Sequence, residues 1–208
     1  MLSNQIISGA DGIDRCWWPG DHEDYLSYHD FEWGRPVSDD DRLFEKICLE
    51  GFQAGLSWLT ILRKREAFRA SFKGFKPEII ATFKDHDVDQ LLQNEAIIRH
   101  RGKIKSVINN AHRVLEIKEE FGSLAAYIWS WEPEKVKRQE EFSIPPSTST
   151  STALSKDLKR RGWSFVGPTT MYAFMQSVGL VNDHVFGCKF HFIVEEELNQ
   201  FKRPRRRE

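Results

Sequence analysis

Across 208 residues, 30 Lys and Arg meet 31 Asp and Glu, for a formal net charge of −1 at pH 7. At 40% hydrophobic residues the chain is long enough for one packed domain and too short for two independent ones. The charge balance excludes a polycation that binds nucleic acid over its whole surface, so any such surface must be local. No apolar run reaches the roughly 18 residues of a membrane span. The N-terminal string MLSNQIISGADGIDR lacks a basic segment followed by an apolar signal core, so a soluble, cytoplasmic protein is expected.

Three cysteines, Cys16, Cys48 and Cys188, are too few and too widely spaced for a secreted disulfide framework and leave room for metal ligation. Seven Trp and fifteen Phe supply core, and they also suit a pocket that stacks a flat ring.

Residues 1–15 read as a polar extension, and the aromatic cluster CWW at 16–18 opens the domain. From Ser38 the run SDDDRLFEKICLE predicts a helix with Leu43, Phe44, Ile47 and Cys48 on one face and Glu50 near its end, broken by GFQAG. A second helical pattern covers LSWLTILRKREAFRASF, and a third starts near Pro77 with EIIATFKDH. Leu91, Leu92 and Ile97 then lead into the break at residues 99–103, and periodicity resumes at Ile104, Val107 and Ile108. This spacing predicts two helices joined by a hairpin. Residues 143–152, SIPPSTSTST, have linker composition but precede ALSKDLKRRG directly, and an ordered loop with a capping hydroxyl is the expected form. A last helical pattern, TTMYAFMQSVGLVNDHVFGC, closes the domain near residue 190. Residues 191–208 read as a polar, basic tail ending KRPRRRE. Strand signals are sparse, so the fold class is mainly α.

His184 and Cys188 are four residues apart, which on a helix sets them on one side; Cys16 and His29 lie near the other end of the chain. A Cys2His2 set suits tetrahedral zinc and leaves no open position for a catalytic water, so such a metal is structural. The spacing alone is a weak signal for a metal, since ordinary buried thiols and hydrogen-bonded histidines fit it as well or better.

Three strings are more specific: YHDFEWGRPVSDDDRLFEKICLEGFQAGLSWLTILRKRE, IIRHRGKI and ALSKDLKRRGWSFVGPTTMYAFMQSVGLVNDHVFGC. Over residues 16–188 the chain resembles, collinearly, the DNA-3-methyladenine glycosylase I family. The resemblance implies a helix-hairpin-helix glycosylase domain in residues 16–190, with one structural Zn2+ per chain joining the N- and C-terminal segments through Cys16, His29, His184 and Cys188. It also implies a base pocket of Trp18, Tyr25, Tyr28, Glu50 and Trp58, with Glu50 and Tyr28 as catalytic residues and Trp33 packed behind. A base methylated at N3 is cationic, so electron-rich ring faces and a carboxylate fit it. In this reading Trp58 stacks on the base, while Glu50 accepts hydrogen bonds from its adenine edge.

The expected partner is double-stranded DNA containing alkylated bases, met by a monomer with no obligate protein partner. In IIRHRGKI, Gly102 permits close backbone approach to phosphate, and Arg99, His100, Arg101 and Lys103 add charge. Lys159, Arg160 and Arg161 form a weaker second candidate. By resemblance the QAGL turn wedges the duplex with Gly55 and Leu56, and with Gln53 close by; Phe52 departs from the polar residue expected there. Glu116, Glu119 and Glu120 stand where related glycosylases place an essential Asp, but on a solvated helix face. Two further readings follow from the same residues: a bifunctional lyase with Lys103 as the amine, and a DNA-binding module without activity.

Overall fold

The computed structural model describes residues 5–134 and 144–206. A short antiparallel hairpin, β1 (Ile6–Ser8) and β2 (Asp14–Cys16), pairs Ile6 with Cys16. Eleven α-helices follow among the described residues, so the mainly α expectation holds. None is long and apolar enough to cross a membrane.

Helix α1 (Glu23–Phe31) leads to α2 (Asp40–Gln53), the central helix. Asp39 caps α2 by accepting from the Arg42 N–H, and Asp40 and Asp41 sit in its first turn, where the helix dipole favours negative charge. Leu43, Phe44 and Ile47 are buried, as their spacing predicts, and Gly51 and Phe52 are buried with them. The helix therefore passes through Gly51 and ends only at Ala54, whose backbone leaves the helical region.

The pattern expected as one helix over residues 56–72 is two, α3 (Trp58–Arg63) and α4 (Arg65–Ser71), with the break at Lys64. The pattern from Pro77 likewise yields only α5 (Pro77–Ile80) before a new start at α6 (Asp85–Gln93). The predicted hairpin joins α6 to the long α7 (Arg101–Phe121). Helix α8 (Leu124–Trp129) follows, and Thr148 caps α9 (Ser149–Arg160) by accepting from Ser151 N–H, as expected for the hydroxyl-rich segment. Ser143 of that segment lies outside the described residues.

Three further expectations are corrected. The pattern over residues 169–188 is helical only through α10 (Pro168–Ser177), so His184 and Cys188 lie on an irregular segment and not on one helical turn. The break follows from Gly179, whose φ is +80° and whose α-hydrogen faces Gly34 O; a Cβ there would come within 2.7 Å of that oxygen. Residues 191–200 are not tail: they complete α11 (Lys189–Gln200), which buries Phe190, Val194 and Leu198 at helical spacing. Residues 5–15 are not a loose extension either. Arg15 is buried and its guanidinium donates to Oδ1 of Asp30 at 2.9 Å and to Oδ2 at 2.8 Å, which pins β2 to α1.

Candidate functional site: an aromatic cluster beside a Cys and His set that could hold a metal

Cys16 ends β2, His29 lies on α1, and His184 and Cys188 lie on the segment before α11. Their ligand atoms all lie within 4.8 Å of one another, and all four residues are buried. Cys188 Sγ is 3.7 Å from His29 Nε2 and 3.6 Å from His184 Nδ1, and Cys16 Sγ is 3.8 Å from His184 Nδ1. A tetrahedral ion with bonds of about 2.0–2.3 Å requires nitrogen to sulfur edges of about 3.5 Å.

The remaining ring nitrogens fix the tautomers that metal ligation needs. His29 Nδ1 donates to Asp30 at 2.7 Å, and His184 Nε2 donates to Trp33 O at 3.1 Å, leaving the inner nitrogens free to ligate. The mutual hydrogen bond of the thiols pushes the Cys16 thiol up and holds Cys188 down, and a cation between them would favour the thiolate of both. The donor set fits a metal ion. The arrangement has no fifth role: four protein ligands close it.

An aromatic cluster grows directly from these four residues. Trp18 is two residues from Cys16, and Tyr28 adjoins His29. The Trp18 ring lies edge-on to Tyr25 at 5.0 Å, to Trp33 at 5.0 Å and to His29 at 5.2 Å. Trp33 packs against His184 at 4.7 Å. Tyr28 faces Trp58, at the first position of α3, at 5.3 Å. The six side chains Trp18, Tyr25, Tyr28, Trp33, Trp58 and Leu62 form one cluster, which Trp58 joins to the main core. The indole N–H groups of Trp18 and Trp58 are buried without a hydrogen-bond partner among the described residues. Such orphaned donors are what a ligand would satisfy.

Glu50, in the last turns of α2, is 5% exposed and makes no hydrogen bond to a described residue. Burial pushes its carboxyl up to about 8, against the opposing pull of Lys46. Burial, and then the negative charge of the Glu50 carboxylate, raise Tyr25 and Tyr28 above the ordinary phenol value. Lys46, one turn earlier, is itself buried. Its ammonium lies 5.6 Å from the Tyr28 ring centroid and donates to Glu32 at 2.9 Å. Burial alone would raise the Glu32 carboxyl, but Lys46 and Arg65 outweigh it and hold it at about 2. Glu50, unlike Glu32, thus has no ion pair among the described residues. Sequence reasoning missed Lys46 and Asp30. The HD pair at residues 29–30 was a readable signal for a carboxylate behind a ligating histidine, whereas nothing local marks Lys46 as buried.

At the turn after α2, residues 53–56 form a type II turn closed by Leu56 N–H to Gln53 O at 2.6 Å, with Gly55 at φ +80°. This holds Leu56 outward, 41% exposed. Phe52 does not enter that loop: its ring lies in the core, 4.5 Å from Phe68. At the hairpin, His100 caps α7 by accepting from Lys103 N–H at 3.1 Å, and Arg99, His100, Arg101 and Gly102 are exposed. Arg99 pairs with Glu95 and Arg101 with Asp89.

Lys103 is a correction. Its side chain turns inward and donates to Phe52 O at 2.9 Å and Ala54 O at 2.6 Å, because the last carbonyls of α2 offer a buried cation ready acceptors. It is therefore not a cation presented on the hairpin surface. Arg160 and Arg161 are occupied by Asp157, and Arg161 also by Glu120. Glu116 pairs with Arg113, and Glu119 is exposed, consistent with a solvated face.

A family model described as methyladenine glycosylase matches residues 18–192. This chain belongs to the methyladenine glycosylase family. Its relatives in that family include DNA-3-methyladenine glycosylase 1 of Escherichia coli (strain K12), 49% identical over 179 residues, which span 85% of this chain and 96% of that protein. A crystal structure of 3-methyladenine DNA glycosylase I is 50% identical with a TM-score of 0.80, covering 84% of this chain and 98% of the other. A variant of 3-methyladenine DNA glycosylase I in complex with 3-methyladenine is 35% identical with a TM-score of 0.80, covering 93% and 99%.

Proposed function

We propose that this member of the methyladenine glycosylase family is a monofunctional DNA-3-methyladenine glycosylase. It hydrolyses the N-glycosidic bond of 3-methyladenine in alkylated duplex DNA, frees the base and leaves an abasic site for base excision repair. One observation carries the reading to these residues: the Glu50 carboxyl is buried without a hydrogen bond or ion pair among the described residues, one helical turn beyond Lys46, whose ammonium lies over Tyr28 of the cluster that also holds Trp18, Tyr25 and Trp58.

Such a box is poor for a neutral purine and favourable for a flat cation. The extruded base enters with positive charge, stacks on Trp58 and Trp18, and presents its exocyclic amine to Glu50. Its charge offsets the desolvation that keeps Glu50 protonated, so the carboxyl ionises when the base arrives. Tyr28 adds a polar edge. A base already cationic is a good leaving group, so tight binding of the departing ring lowers the barrier without a dedicated acid. The solvated glutamates at 116, 119 and 120 are not needed.

Zn2+ is the ion we assign to Cys16, His29, His184 and Cys188, supported by the Cys2His2 donors and their spacing. Bound there it cross-links the two ends of the chain and supplies no chemistry to the base. The hairpin at residues 94–100, in the helix-hairpin-helix manner, grips phosphates through the open start of α7 with Arg99, His100 and Gly102. Gln53, Gly55 and Leu56 occupy the gap left by the extruded base. Lys103 buttresses this loop from behind, which argues against a lyase amine there.

Titrating free 3-methyladenine into the protein and following tryptophan fluorescence tests the pocket. Saturable quenching in the wild type, lost in Glu50→Gln and Trp58→Ala and retained in Glu119→Gln, is expected. Equal binding by all four proteins contradicts the assignment.

A further inference from the structure

The loop between α9 and α10 holds an aromatic residue in a costly way. Phe165 has φ +56°, the left-handed region that L side chains rarely adopt, yet its ring is 38% exposed. The loop cannot relax around it. Trp163 and Val166 on either side are buried, Asn110 of α7 binds both the Ser164 N–H and carbonyl at 3.0 Å, and Ser155 donates to Val166 O at 2.6 Å.

One helical glycine makes room for this residue, and a second lies against its ring tip. A Cβ at Gly51 of α2 would lie 3.3 Å from Phe165 Cβ and 3.4 Å from its carbonyl oxygen. A Cβ at Gly102, in the first turn of α7, would meet the His100 ring at 3.1 Å and Phe165 Cζ at 3.9 Å. The Phe165 ring stands edge-on to His100 at 6.3 Å. A glycine inside a helix and a left-handed φ at a bulky residue are both unfavourable, so the arrangement is held by its surroundings. A core contact would not leave the ring so exposed. The ring bridges the end of α2, one residue beyond Glu50, and the hairpin tip; Lys103 ties the same tip to the loop that carries exposed Leu56.

We propose that Phe165 is a second apolar contact to DNA, packing on the nucleotide beside the gap left by the extruded base. Apolar side chains placed at a kinked, partly unstacked step replace the lost stacking. Leu56 fills one side of this surface, and Phe165, held rigid across the hairpin from it, covers the neighbouring nucleotide. The inference rests on the proposal that the hairpin and the turn at residues 53–56 face DNA.

The test compares wild type, Phe165→Gly and Phe165→Tyr for affinity toward duplex carrying a tetrahydrofuran abasic analogue, affinity for free 3-methyladenine, and Tm. Glycine suits the φ of this position, so Phe165→Gly should keep or raise Tm and leave free-base affinity intact. Its duplex affinity should fall roughly tenfold with an unchanged salt slope, because no phosphate contact is lost. Phe165→Tyr should bind duplex like wild type. Undiminished duplex binding by Phe165→Gly overturns the proposal alone. Parallel loss of free-base affinity also overturns it, because the ring would then serve Glu50 through Gly51. Absence of duplex binding by the wild type overturns the DNA-facing assignment itself.

Discussion

The ammonium of Lys103, on the first turn of α7, donates to the carbonyl of Phe52, at the last turn of α2, across 2.9 Å. Together with the bond to Ala54 O, it fastens the hairpin to the turn that presents Leu56. A charge-assisted bond of this kind contributes about 1.5–3 kcal/mol. Lys103→Met should therefore lower stability by roughly 2 kcal/mol and weaken duplex binding with an unchanged slope of affinity against salt. Arg99→Ala, in contrast, should flatten that slope and leave Tm within a degree or two. Borohydride should trap no protein–DNA adduct. A salt slope reduced by Lys103→Met, or a trapped adduct, contradicts this assignment.

Glu50 gives the protein a pH dependence of known sign. Its carboxyl titrates near 4.5 in the unfolded chain and at about 8 when buried, so the folded state holds the proton more tightly. The stability associated with that proton is complete below about pH 4.5 and is lost as pH rises through about 8. Glu50→Gln removes the loss. At pH 8–9 this variant should exceed wild type by on the order of 3–5 kcal/mol, with the advantage vanishing near pH 4.5. Thermal melts of both proteins from pH 5 to 9 check it, and a constant difference across that range contradicts it.

The clamp and the pocket share residues' neighbours, and that coupling is measurable. Asp30 accepts from His29 Nδ1 and is itself gripped by Arg15. Asp30→Asn should lower zinc affinity by about 10–100-fold, read by competition with a chromophoric chelator. Cys188→Ser should lose the metal and, with it, affinity for free 3-methyladenine, because Trp18 and Tyr28 are placed by their ligand neighbours. Replacing zinc by cobalt should leave base release unchanged and introduce the visible bands of a tetrahedral thiolate site. Unchanged zinc affinity in Asp30→Asn, or full base affinity in metal-free Cys188→Ser, contradicts the coupling.

What could be read in advance depended on whether a residue's environment was local. Helix α2 was legible because Leu43, Phe44 and Ile47 recur at helical spacing behind an acidic cap. Glu50 stood out because a carboxylate continues that buried run. The fate of Lys103 was not legible: in IIRHRGKI it is one cation among several, and only the approach of the α2 carbonyls turns it inward. The four-residue spacing of His184 and Cys188 suggested one side of a helix. Their convergence instead comes from an irregular segment that Gly179 allows to approach Gly34. Helix α11 was hidden because its EEE face outweighs the buried Phe190, Val194 and Leu198 in composition. Phe52 looked like an altered wedge loop, yet it belongs to the core, since α2 runs one turn further than its glycine suggests.

The central claim is that an unpartnered carboxyl among aromatic side chains binds a cationic base tightly enough to promote its hydrolytic release. Incubating the purified protein with duplex DNA alkylated by a methylating agent, and separating the released bases by chromatography, tests it most directly. Free 3-methyladenine should appear well above the spontaneous rate, with strands intact until alkali cleaves the abasic sites, and Glu50→Gln should release far less. Release no faster than the spontaneous rate by the zinc-loaded wild type would contradict the account and leave a DNA-binding protein without activity.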